Sequence, residues 1–492
     1  MDADLQAVLW DQFKAMLSEA ETSKSRPIAP INKLPPEILA MIFTLASNRC
    51  IMCDKANSRS QRVMPTIFSS VCSLWRQISL STCALWSHLD ISMEPFGYKQ
   101  PYNRLKLWEA RSQPAPLSIH ISDEIPGLFT RILTEPAAMS ITSFLAPYMA
   151  RVSEVQVTSH ADRFPNYMLD LLSHWAWKGT TEPARVLKIG GRGSSFEGID
   201  LRARLSRAVQ PVTINDFETF FQSLHTLYLY RVFIPWDSSV YHGLVDLYIT
   251  AGAYSQHWFP TQSQLAGVLA ACPKLCSLTL IDFTVRPDRG LVPNPVMLSH
   301  LETFSFLQPN SSDHNSIKRI LSLIGSSSSS LKASLTLNTE LACVAITRSF
   351  FARCNVTRLH LSLQNLPARC VLPFLAGHVP HLRMLALELL DFTDGTTQQR
   401  MATEINQTLD PWPQLQELCL IKCLLNSDHE QIRQLLQRHP IQKLYLSNCT
   451  RKYGTDSELR KEIEAVGYLA KCLGVLEVVA TNSHVAGPSA DD

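Results

Sequence analysis

Apolar residues in the second half of the chain recur in a pattern that predicts many short parallel strands. From residue 150 onward the pattern L-x-x-L-x-L, with apolar substitutions, appears at LHTLYL, LVDLYI, LCSLTL, LETFSF, VTRLHL, LRMLAL, LQELCL and IQKLYL. Their first residues are Leu224, Leu244, Leu275, Leu301, Val356, Leu382, Leu415 and Ile441, and most follow one another at 20 to 33 residues. This period is typical of a repeat that supplies one strand and one return. We therefore predict an α/β solenoid, a curved parallel sheet with helical or irregular returns.

Several further features fit such a repeat. Two copies continue to a small residue three positions on, at Cys423 and Cys449, and in this respect they resemble the leucine-rich repeat. Proline precedes the strands in CPKLCSL, VPHLRML and WPQLQEL, where its missing N–H costs nothing before the ladder begins. SQLAGVLAAC and HEQIRQLLQRH have the spacing of helical returns. Weaker copies of the motif occur at VSEVQV, ARVLKI and LKASLTL, and we interpret GSSSSSL, just before the last of these, as a flexible loop.

Strand alternation predicts which side chains of each repeat are accessible. The fourth and sixth positions of the motif point into the core, so the third, fifth and seventh face the concave side. The residues that this rule places there include Tyr228, Tyr230, Tyr248, His360, Cys419 and Tyr445. Aromatic groups on a rigid sheet could bind a target protein, because they give large contact area at low entropy cost. They could equally cover neighbouring strands or pack against an insertion, and both interpretations stay open.

Between residues 31 and 91 the apolar spacing predicts two short helices and a short strand. The segment INKLPPEILAMIF places Pro35 and Pro36 in a first helical turn. One stripe of this helix comprises Ile38, Leu39, Ile42 and Phe43. The second helix, FSSVCSLWRQI, has apolar residues at Phe68, Val71, Cys72, Trp75 and Ile78. Alternation of Leu89 and Ile91 indicates a short strand.

The order LPPEIL, VCSLWRQI and LSTCALWSHL resembles the F-box, particularly the form found in large fungal families. The resemblance implies that the two helices bind a Skp-type adaptor, which links the protein to a cullin and a ubiquitin-conjugating enzyme. The adaptor contacts that it implies are Leu34, Pro35, Pro36, Ile38, Leu39, Ile42, Phe43, Val71, Trp75 and Arg76. A unit of about sixty residues is also too small to bury so many large apolar groups alone, which favours a partner surface. From the spacing we expect Val71, Cys72 and Ile78 to face their own domain.

These patterns divide the chain into five parts. They are an N-terminal amphipathic helix and linker (1–30), the F-box (31–91), a helical connector (92–115), the solenoid (116–479) and a disordered tail (480–492). The stretch from 104 to 121 resembles the segment that follows the F-box in the same fungal families, a helix leading into a strand.

Composition and charge exclude several classes of partner. The formal net charge is +2 and no run of five or six Lys or Arg occurs, so we expect neither nucleic acid nor an anionic membrane as a partner. No apolar stretch approaches the roughly 18 residues of a membrane span, and MDADLQAVLW lacks the basic start of a signal peptide. The 13 cysteines are odd in number and scattered, which indicates reduced thiols. We therefore expect the protein in the cytosol or the nucleus.

No motif for catalysis or cofactor binding stands out. Cys50 and Cys53 in CIMC have the spacing of half a zinc site, but no second pair follows at a suitable distance. GGRG from Gly190 lacks the lysine of a phosphate-binding loop and is interpreted as a turn. We therefore expect no cofactor, no metal and no enzyme activity.

Two interpretations of function remain. The first is the substrate receptor of a Skp/cullin/F-box ubiquitin ligase, in which the F-box binds the adaptor and the repeats bind a target protein of unknown identity. The second is a non-degradative interaction scaffold with leucine-rich repeats. An enzyme hidden in the repeats is a third class, for which we find no motif.

Overall fold

The structure, a computed structural model, describes the chain in separate stretches. The described residues are 30–47, 64–92, 99–122, 145–159, 172–173, 185–191, 199–201, 206, 213–251, 258–288, 290, 293–308, 314–337, 344–363, 371, 375, 378–390, 392, 412–425, 430–451, 466, 470–471, 475 and 477–481. The N-terminal helix predicted before residue 30, Cys50, Cys53 and the tail beyond residue 481 lie outside them. The chain forms two compact units, one from Met1–Asp90 with Tyr98–Leu117 and one from Ile91–Gly97 with Ser118–Asp492.

The first unit is helical. Its helices are α1 (Pro36–Ser47), α2 (Met64–Val71), α3 (Ser73–Ser81) and α4 (Lys99–Ser112), with 3-10 turns at Pro30–Lys33 and Cys83–Trp86. Helix α1 begins at a proline, because the first helical N–H groups have no intrahelical partner and their loss costs nothing. Glu37 in its first turn complements the positive end of the helix.

The stretch predicted as one second helix is two helices, so that prediction was wrong. Cys72 has extended backbone angles (φ −157°, ψ 173°) and separates α2 from α3. Its thiol accepts a hydrogen bond from the amide of Trp75 at 3.5 Å and so caps α3. Apolar spacing cannot reveal such an interruption, since a single capping residue leaves the helical period of its neighbours almost unchanged.

Aromatic side chains form the core of the first unit. Phe43 stacks on Phe68 with 4.5 Å between ring centroids and lies 4.7 Å from the ring of Trp75. Trp86 is fully buried and meets Trp108 of α4 edge to face at 5.6 Å. These contacts join α1, α2 and α3 on one side and the second 3-10 turn and α4 on the other.

The second unit is built on parallel strands. The strands of the chain are β1 (His88–Ser92), β2 (Leu117–Ser122), β3 (Val152–Ser159), β4 (Val186–Gly191), β5 (Ile199–Asp200), β6 (Thr226–Tyr230), β7 (Val232–Phe233), β8 (Asp246–Thr250), β9 (Ser277–Ile281), β10 (Val296–Met297), β11 (Thr303–Leu307), β12 (Ile324–Leu337), β13 (Cys354–Leu363), β14 (Met384–Glu388), β15 (Glu417–Ile421), β16 (Leu424–Leu425), β17 (Lys443–Ser447), β18 (Thr450–Arg451) and β19 (Glu477–Thr481). The helices are α5 (Ile214–Phe221), α6 (Gln262–Ala270), α7 (His314–Leu323), α8 (Val344–Arg353) and α9 (Glu430–Arg438), and 3-10 turns lie at Ala146–Arg151 and Ser239–Tyr241.

Fifteen of the described strands form one sheet that does not close on itself. From β2 the order is β2-β3-β4-β6-β8-β9-β11-β12-β13-β14-β15-β17-β19, and β10 pairs with β12. Every neighbouring pair from β3 onward is parallel. All eight strong motifs are strands of this sheet, and the predicted helical returns are α6 and α9. The prediction of a parallel sheet with helical returns is therefore confirmed.

Burial alternates along the strands as the motif predicts. In β6, Leu227 and Leu229 are buried, whereas Thr226, Tyr228 and Tyr230 are half-buried. The same alternation recurs in β9, β11 and β17. We call the side with the half-buried third, fifth and seventh positions the open face. The first motif position, such as Leu224, is also buried.

The prolines before the strands form a repeated turn. In CPKL, VPHL and WPQL the leucine amide donates to the carbonyl three residues before it, Leu275 to Cys272, Leu382 to Val379 and Leu415 to Trp412. Proline occupies the second turn position, which requires the backbone angle that its ring fixes. The turn places a buried leucine two residues ahead of each strand.

A left-handed residue ends many of the strands. The residue after the strand has positive φ at Arg231, Asp282, Leu389, Lys422 and Asn448. In the first four, its amide donates to the carbonyl of the last residue of the neighbouring strand, which is Thr250, Leu307, Ile421 and Ser447 respectively. The next residue then points inward, and it is buried in each case: Val232, Phe283, Leu390, Cys423 and Cys449.

The predicted place for a small residue under this turn is thus occupied by the two cysteines. The thiol of Cys423 donates to the carbonyl of Leu387 at 3.3 Å, and that of Cys449 donates to the carbonyl of Leu420 at 3.4 Å. In the other repeats Val, Phe or Leu fills this place, so burial rather than the thiol is its common property.

Two sequence interpretations fail in the second unit. The serine run GSSSSSL is part of β12 rather than a flexible loop, because Ser326 pairs with Cys354 and its hydroxyl donates to the carbonyl of Leu298 at 3.1 Å. Gly190 and Gly191 belong to β4 rather than to a turn, and Gly190 lies beside Tyr230. β19 was not among the predicted repeats. Within the described residues, no helix is long and apolar enough to span a membrane.

The close approach of Gly190 and Tyr230 generates a test of the register of β4 and β6. A Cβ on Gly190 would lie 2.8 Å from the Cβ of Tyr230, so Gly190→Ala should destabilise the protein by about 1–3 kcal/mol. In Gly267→Ala, on the exposed side of α6, the new methyl meets no atom within 4 Å, and stability should rise by about 0.5–1 kcal/mol. Urea unfolding of both variants checks this; equal effects of the two substitutions would contradict the register.

A buried histidine makes the stability of the second unit depend on pH. Burial lowers the pKa of His439 to about 4, and its Nδ1 accepts the amide hydrogen of Trp412 at 3.0 Å. The pKa of His439 is lower in the folded state than in the unfolded state. Its contribution to the free energy of unfolding is therefore fully present above pH 6.5 and is lost as the pH falls towards 4. We expect this histidine to account for roughly 1–3 kcal/mol of that loss.

The measurement is urea unfolding at neutral and acidic pH. His439→Asn keeps an acceptor for the Trp412 amide and should lose stability less steeply with falling pH than the unchanged protein. His225→Asn, at an exposed histidine, is the matched control and should keep the full pH dependence. Identical pH profiles for all three proteins would show that protonation of His439 does not limit acid stability.

Candidate functional site

Large apolar side chains are exposed almost entirely in the first unit. Among the described residues eleven such side chains are exposed, and ten of them belong to this unit. The ten are Ile31, Leu34, Ile38, Met41, Ile42, Leu45, Ile67, Val71, Leu80 and Leu107. In the described part of the larger second unit, only Met297 is exposed in this way. A concentration of this kind is typical of a surface that binds another protein.

Four of these side chains lie on one side of α1. Ile38, Met41, Ile42 and Leu45 occupy an arc of roughly 100° at 3.6 residues per turn. Met41 is 60% exposed and Leu45 is 71% exposed, which is high for side chains of their size. We call these four residues, together with Leu34 just before the helix, the α1 stripe. Helix α1 thus has an outer apolar side that its own unit leaves uncovered.

Two of the predicted adaptor contacts lie on the inner side of α1 instead. Leu39 is 0% exposed and Phe43 is 1% exposed, so neither can contact a partner in this structure, and that part of the prediction was wrong. The cause is that Phe43 stacks between Phe68 and Trp75 in the core. Ile38 and Ile42, predicted to share their stripe, point outward.

The remaining predicted contacts are exposed or half-buried. Leu34, Pro35 and Pro36 are exposed at the start of α1. Arg76 is exposed, and its Nε donates to the carbonyl of Ser69 at 2.8 Å, which satisfies the end of α2. Trp75 is half-buried, and its Nε1 donates to Oδ1 of Asn32 at 2.7 Å. These last two side chains therefore also support the fold.

Of Val71, Cys72 and Ile78, which were expected to face their own domain, only some are buried. Ile78 is buried as expected, and Cys72 is half-buried. Val71 is 55% exposed, so the expectation is wrong for this residue, although its place among the predicted partner contacts is retained. Ile67, one turn before it on α2, is also exposed.

Sequence reasoning missed Met41, Leu45 and Ile67. A signal for the first two was present, because both lie three or seven residues after Ile38 and so share its side of the helix. The apolar residues of α1 cover most of its circumference, however, and spacing alone does not say which side faces the core.

On the open face, four of the five predicted target-binding residues fall into one row across the sheet. The fifth motif positions are directly paired from strand to strand: Tyr228 with Tyr248, His360 with Ala386, Ala386 with Cys419, and Cys419 with Tyr445. Tyr230 lies in the neighbouring seventh-position row. The structure therefore brings Tyr228 and Tyr248 together, and places His360 and Tyr445 further along the same row.

The two tyrosines form a platform with charged neighbours. Their rings stack at 5.0 Å between centroids, with 16° between their planes. The ammonium group of Lys188 lies 5.6 Å from the Tyr228 ring and 2.6 Å from Oε1 of Glu154. Oε2 of that glutamate accepts the hydroxyl hydrogen of Ser118 at 2.9 Å. The tyrosines thus support one another across strands, and they remain accessible from the open face.

His360 occupies a different setting. Its Nδ1 lies 2.8 Å from Oγ of Ser334, and its Nε2 lies 3.4 Å from Oε2 of Glu388, which also binds Lys422 at 2.9 Å. A serine, a histidine and a carboxylate in sequence suggest nucleophilic catalysis, but acyl transfer also needs N–H groups directed at the developing oxyanion. The strands around Ser334 engage their N–H groups in the parallel ladder. We therefore interpret these contacts as structural: a hydrogen bond joins Ser334 to His360, and Glu388 lies only within ion-pair distance of the histidine.

The buried thiols of the sheet are poor nucleophiles. Burial raises the pKa of Cys354 to about 11 and likewise raises the pKa of Cys419 to about 11. Cys419 lies in the fifth-position row but is only 7% exposed. A thiol at neutral pH is then almost entirely protonated, and the thiolate is the reactive form.

Comparison with known proteins adds no assignment. No protein-family model matches the chain, and no curated protein matches it.

The tyrosine platform generates a test of what its members do for the fold. Tyr228→Ala and Tyr248→Ala should show a coupling energy of about 0.5–1.5 kcal/mol in a double-mutant cycle, because the rings stack. Leu227→Ala, one residue away on the core side, should cost about 2–5 kcal/mol. Urea unfolding provides all of these values. A loss for Tyr228→Ala as large as that for Leu227→Ala would show that the ring belongs to the core.

Proposed function

We propose that the protein is the substrate receptor of a Skp/cullin/F-box ubiquitin ligase. In this proposal the first unit is an F-box that binds a Skp-type adaptor, and through it a cullin. The open face of the second unit binds the target protein. The resemblance of LPPEIL, VCSLWRQI and LSTCALWSHL to the F-box supplies the identity of the partner.

The observation that carries the proposal is the α1 stripe. A small helical unit that leaves ten large apolar side chains exposed gains by covering them, since each buried methylene contributes about 0.8 kcal/mol. The stripe also includes three residues that the resemblance implies as adaptor contacts, Leu34, Ile38 and Ile42. The same helix holds its own unit together through Leu39 and Phe43.

The proposed mechanism is proximity. A target held on the open face would meet the conjugating enzyme at high effective concentration, so the chain itself needs no acid, base or nucleophile. A rigid parallel sheet suits this role, because it holds the bound target in one position on the open face. The proposal includes no cofactor, no metal and no enzyme activity. The protein would act only through the partners that its two surfaces bind.

The proposal places the protein in the cytosol or the nucleus. Among the described cysteines eight are free, which fits a reducing compartment. Neither nucleic acid nor a membrane is proposed as a partner, in keeping with the net charge of +2.

The alternative is a non-degradative scaffold that uses the same two surfaces. Affinity purification of the full chain from a fungal cell separates the two. Recovery of a Skp-type adaptor together with a cullin supports the ligase, whereas recovery of other proteins without a cullin supports the scaffold.

The α1 stripe can be tested directly with purified full chain and a fungal Skp-type adaptor. Leu34→Ala combined with Ile38→Ala removes exposed apolar area and should weaken adaptor binding by about 2 kcal/mol or more. Val71→Asp should likewise weaken binding and leave folding intact, because its side chain is exposed. Calorimetric titration measures affinity, and thermal unfolding monitors the fold.

Two controls frame this test. Leu107→Ala removes a leucine of α4 that is more exposed than Leu34 and lies outside the implied contacts, and it should leave adaptor affinity unchanged. Phe43→Ala empties part of the core and should lower stability by about 3–5 kcal/mol. Unchanged adaptor affinity in the Leu34 and Ile38 double variant would contradict the proposal.

A further inference from the structure

A groove opens in the middle of the open face. It has a volume of about 250 Å³ and lies on β11, β12, β13 and β14. Its polar lining residues are Thr303, Ser305, Lys332, Ser334, Arg358 and His360. The groove exists because the fifth-position row carries small residues here, Ser305 and Ser334, whereas Tyr228 and Tyr248 fill the same row elsewhere.

Two cations stand side by side at this groove. Lys332 and Arg358 are direct register partners on neighbouring strands, which are about 4.8 Å apart. Both side chains are exposed on the open face. Like charges directly opposite one another destabilise a sheet, so this pair opposes folding unless something negative lies between them.

Lys332 and Arg358 belong to the third-position row of the sheet, and elsewhere among the described strands of this row no two like charges are direct register partners. In the third-position row, Lys443 lies between Glu417 and Glu477, and its Nζ is 3.2 Å from Oε2 of Glu477. Lys188, from the fifth-position row, is paired with Glu154 at 2.6 Å. By contrast, no ion pair of the described residues includes Lys332 or Arg358. Their row neighbours are Thr303 on one side and Met384 on the other.

Neutral donors accompany the two cations. In the described part of the chain, the side-chain hydroxyls of Thr303 and Ser305 have no hydrogen-bond partner, and both line the groove. The carboxylate that contacts the lining residue His360, that of Glu388, lies 3.4 Å from His360 and already binds Lys422 at 2.9 Å. Two cations and two hydroxyls thus offer several hydrogen-bond donors to one ligand, and no carboxylate of the described residues forms an ion pair with either cation.

A register shift underlies this arrangement. Between Leu331 and Lys332 of β12, the partner strand advances from Val356 to Arg358, so Thr357 of β13 has no directly paired residue. The Oγ of Ser330 lies 2.6 Å from Oγ1 of that threonine. The shift keeps Leu331 at a buried position while it brings the two cations level. Irregularities of this kind are frequent beside binding sites.

We infer that this groove binds an anionic side chain of a target protein, with Lys332 and Arg358 as the charged contacts and the hydroxyls of Thr303 and Ser305 as neutral donors. A phosphorylated serine or threonine and a glutamate or aspartate carry the shared chemistry, an oxyanion on an extended peptide. Two cations suit one such group, and they are too few for a nucleic-acid backbone. The inference rests on the proposed function for the nature of the ligand, a target protein, but not for the anion site itself.

The first experiment needs no target. Inorganic phosphate added to the full chain should raise the midpoint of thermal unfolding, compared with chloride at the same ionic strength, because it binds only the folded protein. In Lys332→Ala with Arg358→Ala this rise should disappear. Without phosphate, the double variant should melt at the same or a higher temperature than the unchanged protein, since the repulsion is gone; a structural role for the pair would lower it instead.

The second experiment uses three degenerate peptide pools that differ only at a central residue, phosphoserine, glutamate or serine. The phosphoserine pool should bind the unchanged protein about tenfold more tightly than the serine pool, and the double variant should lose this difference. Preference for the glutamate pool over serine, equal to that for phosphoserine, supports the site with a carboxylate as its ligand. Equal binding of all three pools overturns the inference.

Three controls make the result specific. Lys443→Ala removes a paired lysine from the same row and should keep both the phosphate effect and the preference among the pools. Arg358→Lys, which keeps the charge, should retain most of the phosphate effect. Tighter binding of a single-stranded oligonucleotide than of any peptide pool, lost in the double variant, would overturn the inference in favour of nucleic acid.

Adaptor binding separates this inference from the proposed function. The Lys332 and Arg358 double variant should bind the Skp-type adaptor as the unchanged protein does, because the α1 stripe is intact. Loss of the phosphate effect with normal adaptor binding supports the anion site. A chain that binds no adaptor but keeps the phosphate effect would contradict the ligase and leave the anion site supported.

Discussion

The backbone hydrogen bonds between neighbouring repeats are the interaction on which the rest of the second unit depends. From β3 onward each strand is parallel to the next. After several strands the following residue continues the ladder by donating its amide to the end of the neighbouring strand, as Arg231 does to Thr250 and Asp282 to Leu307. The backbone N–H and C=O groups of a β-strand cannot bond within that strand and need a neighbouring strand as partner. The repeat is therefore stable only where another repeat adjoins it, and the left-handed residue that permits this last bond also turns the next side chain inward.

The sequence predicted this architecture well because its signal is local and repeated. The leucines of LHTLYL or LQELCL state which face is buried, and the proline of CPKL or WPQL marks the turn that precedes the strand. Predictions from the sequence failed where the surroundings of a residue differ from those that the apolar pattern indicates. The serines after Gly325 look like a loop, but they find carbonyl and strand partners; the apolar residues of α1 look like one stripe, but Phe43 points to Phe68 while Ile42 points outward.

The candidate sites were predictable to different degrees for the same reason. Tyr228 and Tyr248 were placed on the open face by alternation, and their stacking follows once their strands are neighbours. The groove at Lys332 was not predicted, because it depends on a register shift at the distorted copy LKASLTL. Alignment of the ideal motif would put Leu331 in the first position and displace the lysine by one residue, to the opposite face of the sheet.

The two units deal with apolar surface in opposite ways, and this bears on what each can do. The second unit buries its large apolar groups between sheet and returns, so its open face is left to polar, charged and tyrosine side chains held by the ladder. The groove at β11 to β14 has β15, β17 and β19 beyond it on one side and more strands on the other, so it is remote from the ends, where a repeat array opens first. A like-charged pair at such a place cannot relieve its repulsion by local fraying. It is held in position by neighbours on both sides, which favours a role for the pair in binding an anion over a tolerated defect.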